Sequence, residues 1–224
     1  ASLFLRDPRT HVQEWPFFSS ARRGANIRSF LRVSRSPIQT ACELTRPAVA
    51  VLMDEGTGRT VDFAQGVPAG GTFVLNTRRS PEECARHFRL AGRVVTVAGD
   101  DIGTKHLKHA IGNVSAFVAL AQAIGGFEER EIVDSFLATL EKRRIPAPVM
   151  ERNRQALEAS FGAIRTGVFD VSSPEDRAPA PFGGYGVAKK ERLGFGATQG
   201  FETNRGGFTL AGPKYYDRFR DVCA

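Results

Sequence analysis

The chain has 224 residues, of which 42% are apolar, and this is enough to bury the core of one globular domain, which excludes a disordered chain. Lysine and arginine number 31 against 24 acidic residues, and the formal net charge of +7 favours anionic partners such as phosphates, acidic protein surfaces or nucleic acid. No run of 18 apolar residues occurs, so we expect no membrane span and a cytoplasmic location.

Near the amino end, a basic stretch surrounds a glycine. A guanidinium group offers paired N–H donors to a phosphate or carboxylate, and backbone N–H groups at a glycine turn can add to such a site. The same composition is also typical of a loop whose arginines face water. Both interpretations stay open for this arginine stretch, which contains Arg22, Arg23, Gly24, Arg28 and Arg32.

Aromatic residues beside the arginine stretch raise an alternative function, that of a basic nucleic-acid-binding α/β protein. Single-strand binding needs basic side chains interleaved with exposed aromatic rings. Trp15, Phe17 and Phe18 stand close by, but "WPFF" is equally typical of a segment buried in a core. Nucleic acid is therefore the alternative partner and not the favoured one.

Four short apolar segments predict strands at intervals of roughly twenty residues. The first alternates apolar and polar residues, the second is a continuous apolar run that ends in Asp54, and the third ends in Asn76 and Thr77. The segments are "IRSFLRVS" (27–34), "AVAVLMD" (48–54), "TFVLNT" (72–77) and "RVVTVAG" (93–99).

Helical patterns lie between and after these strands. Ser80 is a predicted N-cap, Pro81 stands at the first helical position, and Glu83 completes a capping box in a helix that Gly92 should end. Three further helices are predicted at 113–127, 128–144 and 148–167. Strands that alternate with helices predict an α/β fold, Rossmann-like, with a mostly parallel sheet and helices on both faces.

The pattern changes after about residue 167. Residues 168–224 are rich in glycine, proline and single aromatic residues and show no sustained period, so they cannot form a core of their own. We expect an α/β domain at 1–167 and an extended carboxyl-terminal arm at 168–224. The predicted anchors of the arm are Phe182, Tyr185, Phe195, Phe201 and Phe208.

Few residues are arranged for chemistry. The three cysteines, Cys42, Cys84 and Cys223, are far apart and cannot by themselves build a zinc site or an iron–sulfur cluster. His106 and His109 have a helical spacing, but they lack a third ligand and are better explained by an exposed polar face. Two further residues, Asp100 and Asp101, follow a predicted strand, where they either cap a helix, the favoured interpretation, or face a ligand cleft.

The order of the motifs resembles the gamma subunit, or gamma domain, of the 2-oxoacid:ferredoxin oxidoreductases, the pyruvate:ferredoxin oxidoreductase group. "RRGA" (22–25) precedes a strand and "SRSPI" (34–38), and a strand that ends in Asp54 follows. A strand that ends in Asn76 and Thr77 comes next, and later a helix opens with Asn113. These landmarks cover roughly residues 12–165.

The resemblance implies a complex that oxidatively decarboxylates a 2-oxo acid to an acyl-CoA with thiamine diphosphate, Mg²⁺, 4Fe–4S clusters and coenzyme A. Pyruvate is the default substrate, and an aryl 2-oxo acid such as phenylglyoxylate, or 2-oxoglutarate, remains open. The implied partners are alpha, beta and ferredoxin-like delta subunits, with electrons passing to ferredoxin or, through a flavin subunit, to NAD. The chain itself is expected to hold no metal and no catalytic residue.

Within this resemblance, the arginine stretch and Asn113 become candidate contacts for coenzyme A or for a neighbouring subunit. The family usually begins with a strand and a glycine-rich turn into a helix, and nothing similar precedes Val12. Residues 1–11 are therefore expected to be the end of that helix.

Overall fold

The first two strands form an antiparallel ribbon separate from the main sheet. The computed structural model describes residues 1–17, 27–40 and 42–170. Strand β1 (His11–Phe17) pairs with β2 (Arg28–Ser34), and Trp15 lies opposite Phe30. The strand predicted at 27–34 is confirmed, but its place in the parallel sheet is wrong because its partner is β1. Strand β1 was not predicted from the sequence, since Pro16 argues against a central strand and is tolerated only where an edge is free.

The main sheet has four strands in the order of the sequence. β3 (Val49–Leu52), β4 (Thr72–Asn76) and β5 (Gly92–Val97) run parallel, and β6 (Arg165–Phe169) pairs antiparallel with β5. The helices of the described chain are α1 (Glu55–Thr60), α2 (Pro81–Phe88), α3 (Gly99–Ile102), α4 (Asn113–Ile124), α5 (Glu129–Lys142) and α6 (Ala147–Phe161), and a π-helical turn spans Gly103–Leu107.

Helices cover both faces of this sheet, as predicted. Alternate residues of a strand point to opposite faces. Leu75 and Val94 therefore pack with Cys84 of α2, whereas Val74 and Val95 pack on the other side with α4. The α/β fold with a mostly parallel sheet is confirmed.

The outer layer of the protein is helical and includes the amino-terminal residues. α5 and α6 pack with α4 around Ile132 and Leu157, and Leu3 joins this cluster at 6% exposure. Residues 1–11 contain one helical turn, a 3₁₀ turn at Phe4–Arg6. The helix end expected for this segment is therefore limited to that turn. No helix in the described ranges is long and apolar enough to cross a membrane.

Two predicted helix ends need correction. The capping box of α2 is present, but the helix ends at Phe88, because Arg89 adopts φ 54°, before Gly92 is reached. α6 ends at Phe161, and the chain re-enters the sheet as β6, so the helix predicted to residue 167 is wrong over its last turn. Pairing with β5 overrides the local helical pattern here. The predicted domain boundary at 167 falls inside β6, and the arm from 171 onward lies outside the described residues.

A substitution at Gly92 tests the close backbone packing at the start of β5. Its φ is 129°, and a Cβ atom there would lie 2.2 Å from the carbonyl oxygen of Gly71. We expect Gly92→Ala to lower the free energy of unfolding by about 2–4 kcal/mol, because both the backbone angle and the contact exclude a side chain. Urea denaturation measures this loss.

Gly162→Ala is the matched control. Gly162 has φ −76°, and no atom lies within 4 Å of a Cβ added there. Its stability should change by less than about 1 kcal/mol. Equal losses in the two variants would contradict the steric explanation.

Candidate functional site

Asn76 joins the carboxyl ends of three parallel strands. Its Nδ2 donates to the carbonyl oxygen of Met53, after β3, and to Oδ1 of Asp100, after β5, both at 3.0 Å. Its Oδ1 accepts from the backbone N–H of Gly99 at 2.9 Å. The side chain is 7% exposed, so these bonds satisfy a buried amide. Asn76 is a landmark of the sequence, but its position after an apolar strand alone does not show that it bridges two neighbours.

Glycines allow this close packing around Asn76. A Cβ on Gly112 would lie 2.3 Å from Nδ2 of Asn76, and a Cβ on Gly99 would lie 2.8 Å from its Oδ1. The start of α4 therefore approaches the strand ends without a side chain between them. This contact also explains why a glycine directly precedes Asn113.

Ion pairs surround the Asn76 amide on its exposed side. Arg78 binds Asp101 through two nitrogens, with Nε to Oδ2 at 2.8 Å. Arg165 of β6 donates to the carbonyl oxygens of Arg78 and Arg79 at 2.7 and 3.0 Å. The favoured prediction that the two aspartates cap a helix is wrong: the first binds Asn76, the second binds Arg78, and α3 has no side-chain cap.

Glu55, at the start of α1, completes this cluster. It accepts a hydrogen bond from the hydroxyl of Thr77 and one from Nε of Arg79 at 3.1 Å. The Thr77 bond, followed by the Arg79 interactions, lowers the pKa of Glu55. We call these residues the strand-end network: Glu55, Asn76, Thr77, Arg78, Arg79, Asp100 and Asp101.

The strand-end network occupies the place where α/β proteins usually bind ligands. The chain leaves β4 toward α2 on one face and leaves β5 toward α4 on the other, which opens a crevice between the two loops. Here the chain's own amide, carboxylates and guanidinium groups bind one another across it. In the observed arrangement the network holds the loops together.

The arginine stretch lies partly in the ribbon. Arg22, Arg23 and Gly24 lie outside the described residues. Arg32 donates to Oε1 of Gln13 at 2.8 Å and to the carbonyl oxygen of Thr40 at 2.9 Å.

The other described arginine of the stretch, Arg28, pairs with Glu43 at 3.4 Å and lies 5.6 Å from the ring centre of Phe30. Arg32 also donates to the carbonyl oxygen of Cys42 and lies over the ring of Trp15. These contacts fasten residues 40, 42 and 43 to the ribbon, and the hydrogen bonds described for Arg32 all go to groups of the chain itself. Trp15 stacks on Phe30 with ring centres 5.3 Å apart, so its ring contacts both Phe30 and Arg32.

Asn113 is the remaining predicted site residue. It opens α4, is exposed, and its Oδ1 accepts from the N–H of Val114 at 2.9 Å. Its described bond is therefore local to the helix start, and the bonds of Arg32 are local to the ribbon. The structure does not join these two residues through a common partner.

The residues weighed for metal binding show no such arrangement within the described chain. No group of three metal-binding side chains is formed there, and this includes His106 and His109. Cys84 is fully buried in α2, and burial raises the pKa of its thiol to about 11. A buried thiol with a raised pKa is unreactive at neutral pH.

These features define a class of protein: a Rossmann-like α/β domain with a two-stranded ribbon and a strand-end network at the carboxyl edge of its parallel strands. A family model described as "Pyruvate ferredoxin/flavodoxin oxidoreductase" matches residues 6–163. The chain belongs to this family, and the resemblance noted in the sequence is confirmed.

Individual relatives agree with this assignment. The pyruvate/ketoisovalerate oxidoreductases common subunit gamma of Thermococcus kodakarensis is 28% identical over 162 residues, which cover 72% of this chain and 84% of that subunit. The subunit of the same name from Pyrococcus abyssi is 30% identical over 166 residues with the same coverage. The crystal structure of pyruvate oxidoreductase subunit PORC from Thermotoga maritima has a TM-score of 0.62 at 24% identity, over 75% of this chain and 86% of that one, and shows the shared fold.

Asn76→Asp tests the strand-end network. The carboxylate loses the two donated bonds and faces the carboxylate of Asp100 and the carbonyl of Met53. We expect a loss of about 2–4 kcal/mol in the free energy of unfolding at neutral pH, measured by urea denaturation. Asn113→Asp, the same change at an exposed helix start, should be neutral or stabilising by up to about 0.5 kcal/mol. Similar losses for both would show that Asn76 makes no special contribution.

Glu55→Gln tests the pH dependence of the same network. The folded-state pKa of Glu55 lies below its ordinary value of 4.5, so ionised Glu55 stabilises the fold above that pH and this stabilisation is lost as the pH falls through the lowered pKa. Between pH 6 and pH 3, the variant should therefore lose less stability than the wild type. Denaturation midpoints across this range measure the difference, and parallel curves would contradict it.

Proposed function

We propose that this chain is the gamma subunit of a cytoplasmic 2-oxo acid oxidoreductase complex. The reaction converts a 2-oxo acid and coenzyme A into an acyl-CoA and CO₂ and releases two electrons to an acceptor. The observation that carries the proposal is the family match over residues 6–163, which includes the ribbon, the three parallel strands and the helices α1 to α6. The names of the relatives, common gamma subunits of pyruvate and ketoisovalerate oxidoreductases, support pyruvate or a branched 2-oxo acid as substrate.

Thiamine diphosphate, Mg²⁺ and 4Fe–4S clusters supply the decarboxylation and electron-transfer chemistry of such a complex, and in this proposal other subunits hold them. These are alpha, beta and ferredoxin-like delta subunits, with ferredoxin, or NAD through a flavin subunit, as acceptor. The described residues support a scaffold role for this chain. Asn76, Arg78 and Arg165 bind protein groups, and Cys84 is buried within the domain.

The coenzyme A contribution falls, in this proposal, to the arginines of the stretch that lie outside the described residues. Arg28 and Arg32 bind Glu43, Gln13 and backbone carbonyls. We therefore assign the contact with a coenzyme A phosphate to Arg22 and Arg23, beside Gly24, because guanidinium groups pair with phosphate oxygens. Asn113 stays a candidate for the same cleft or for a subunit contact.

Purification of the assembled complex from the native source tests this proposal. A tag on the full chain should bring down larger subunits that contain thiamine diphosphate and iron, with acyl-CoA formation from pyruvate or a branched 2-oxo acid. In that complex, Arg23→Ala should raise the KM for coenzyme A about tenfold, the loss of one charge-assisted contact, and leave the KM for the 2-oxo acid within about twofold.

Arg143→Ala, a change of the same kind at an exposed position after α5, is the control and should leave both KM values unchanged. A chain that is isolated from its source as a lone monomer contradicts the proposed function. Normal coenzyme A kinetics in Arg23→Ala, with fewer partner subunits recovered, would instead make the arginine stretch a subunit contact.

A further inference from the structure

Two cysteines of the described chain differ in their bonding state. Cys84 has a free thiol and is fully buried in α2. Cys42 is half-buried in the segment after β2, and it is disulfide-bonded. The sequence contains three cysteines, so with Cys84 free, Cys223 is the cysteine that remains as the partner of Cys42 within the chain. Cys223 belongs to the arm and lies outside the described residues.

The surroundings of Cys42 are suited to thiol chemistry. Nη2 of Arg32 donates to the carbonyl oxygen of Cys42 at 3.2 Å and lies 3.7 Å from its Sγ. A guanidinium group beside a sulfur favours the thiolate, which is the reactive form in thiol–disulfide exchange. The adjacent carboxylate, Glu43, pairs with Arg28 at 3.4 Å, so its charge is offset. Cys42 therefore lies in a partly exposed site with a positive charge, unlike Cys84.

The other contacts of Arg32 attach this site to the ribbon. Its Nη1 donates to Oε1 of Gln13, in β1, and to the carbonyl oxygen of Thr40. Its guanidinium carbon lies 5.3 Å from the centre of the Trp15 ring. Arg32 is thus held from several sides before any reaction at the sulfur. A group that is bonded to Cys42 is in consequence fastened to the ribbon.

We infer that Cys42 and Cys223 form a redox-sensitive disulfide that fastens the carboxyl end of the arm to the ribbon. The bond gives the arm, which follows β6, a second covalent attachment to the domain. The pairing does not depend on the proposed function. Its reversibility does, because that function places the chain in the cytoplasm, where protein disulfides are as a rule transient and redox-sensing.

The exchange reaction needs a small-molecule disulfide or thiol as co-reactant. When the bond forms, the two cysteine thiols lose two electrons and two protons, and glutathione disulfide takes them up and becomes two thiols. In the reverse reaction, one glutathione thiolate attacks Sγ of Cys223, and Cys42 leaves as a thiolate beside Arg32. A second glutathione thiolate then releases Cys223 and forms glutathione disulfide. A stabilised thiolate leaves faster, so Arg32 favours this direction of attack.

Peptide mapping of the purified full chain tests the pairing. The chain is equilibrated with glutathione disulfide, free thiols are blocked with N-ethylmaleimide, and trypsin digestion follows without reductant. We expect peptide 36–59, which contains Cys42, to be joined to peptide 221–224, which contains Cys223. Cys84 should react with N-ethylmaleimide only after denaturation. A free Cys42, or Cys42 joined to glutathione, to Cys84 or to a second copy of the chain, would overturn the inference.

A series of glutathione ratios tests the reversibility. The bonded fraction should fall as reduced glutathione increases, and less than about a tenth should remain at the ratio of the cytoplasm. A bond that persists at that ratio is a structural one and contradicts the redox-sensitive role.

Variants with a specific protease site inserted after residue 180 show what the bond holds. After cleavage, the carboxyl fragment of the oxidised wild type should stay attached to the domain on a denaturing gel without reductant, and Cys223→Ser should release it. Cys84→Ala is the matched control and should retain the fragment. Release from Cys84→Ala, or retention by Cys223→Ser, would contradict the assigned pairing.

The role of Arg32 has its own measurement. Arg32→Gln should slow the reduction of the bond by glutathione about threefold, because the leaving sulfur loses its positive neighbour. Arg35→Gln, which removes an exposed arginine that pairs with Asp7, should leave the rate unchanged. Equal rates in the two variants would contradict the positioning role of Arg32.

The outcomes also separate this inference from the proposed function. A chain that forms the Cys42–Cys223 bond but brings down no thiamine-bearing subunit contradicts the proposed function and leaves the pairing intact. A thiamine-bearing complex whose gamma chain shows no such bond after treatment with glutathione disulfide contradicts the disulfide alone.

Discussion

The buried amide of Asn76 is the interaction on which the arrangement of the sheet's carboxyl edge depends. A primary amide offers donors and an acceptor on one small group, and here it uses them on segments that follow β3 and β5. Leucine or serine at this position would leave at least one of those partners unpaired. Gly99, at the start of α3, and Gly112, before α4, both lie against this amide, and the lack of a side chain on each makes room for it.

At this edge the chain's own side chains bind one another across the crevice of an α/β domain. The crevice formed where the chain leaves β4 and β5 toward opposite faces is normally open to a cofactor. In this protein, Asn76 and the Arg78–Asp101 pair cross it, and Arg165 fixes the adjacent backbone. The exposed Arg78–Asp101 pair adds little stability by itself, so the buried amide is the stronger part of the closure. This closure is one of the observations that support the scaffold role in the proposed function.

Much of this fold could be predicted from the sequence because its signals are local. The apolar runs of β3, β4 and β5 and the capping box at Ser80 each depend on a few neighbouring residues. β1 and β6 could not be predicted in this way, because each is a strand only through a partner that lies far along the chain. The same reason explains the error at Asp100 and Asp101: a helix start was the nearest explanation, and their partners stand more than twenty residues earlier. The roles of Arg28 and Arg32 could not be predicted either, because no local pattern connects these arginines to their partners at residues 40, 42 and 43.

The antiparallel direction of β6 has a consequence for everything that follows it in the chain. Arg165 stands beside Thr96, near the strand-end network, but Phe169 stands beside Gly92, at the start of β5. The described chain therefore leaves the sheet at the edge remote from Asn76. The length of β5 separates the two edges by roughly 16 Å, at about 3.3 Å per residue. Phe169, four residues after Arg165, therefore lies at the opposite edge of the sheet from the strand-end network.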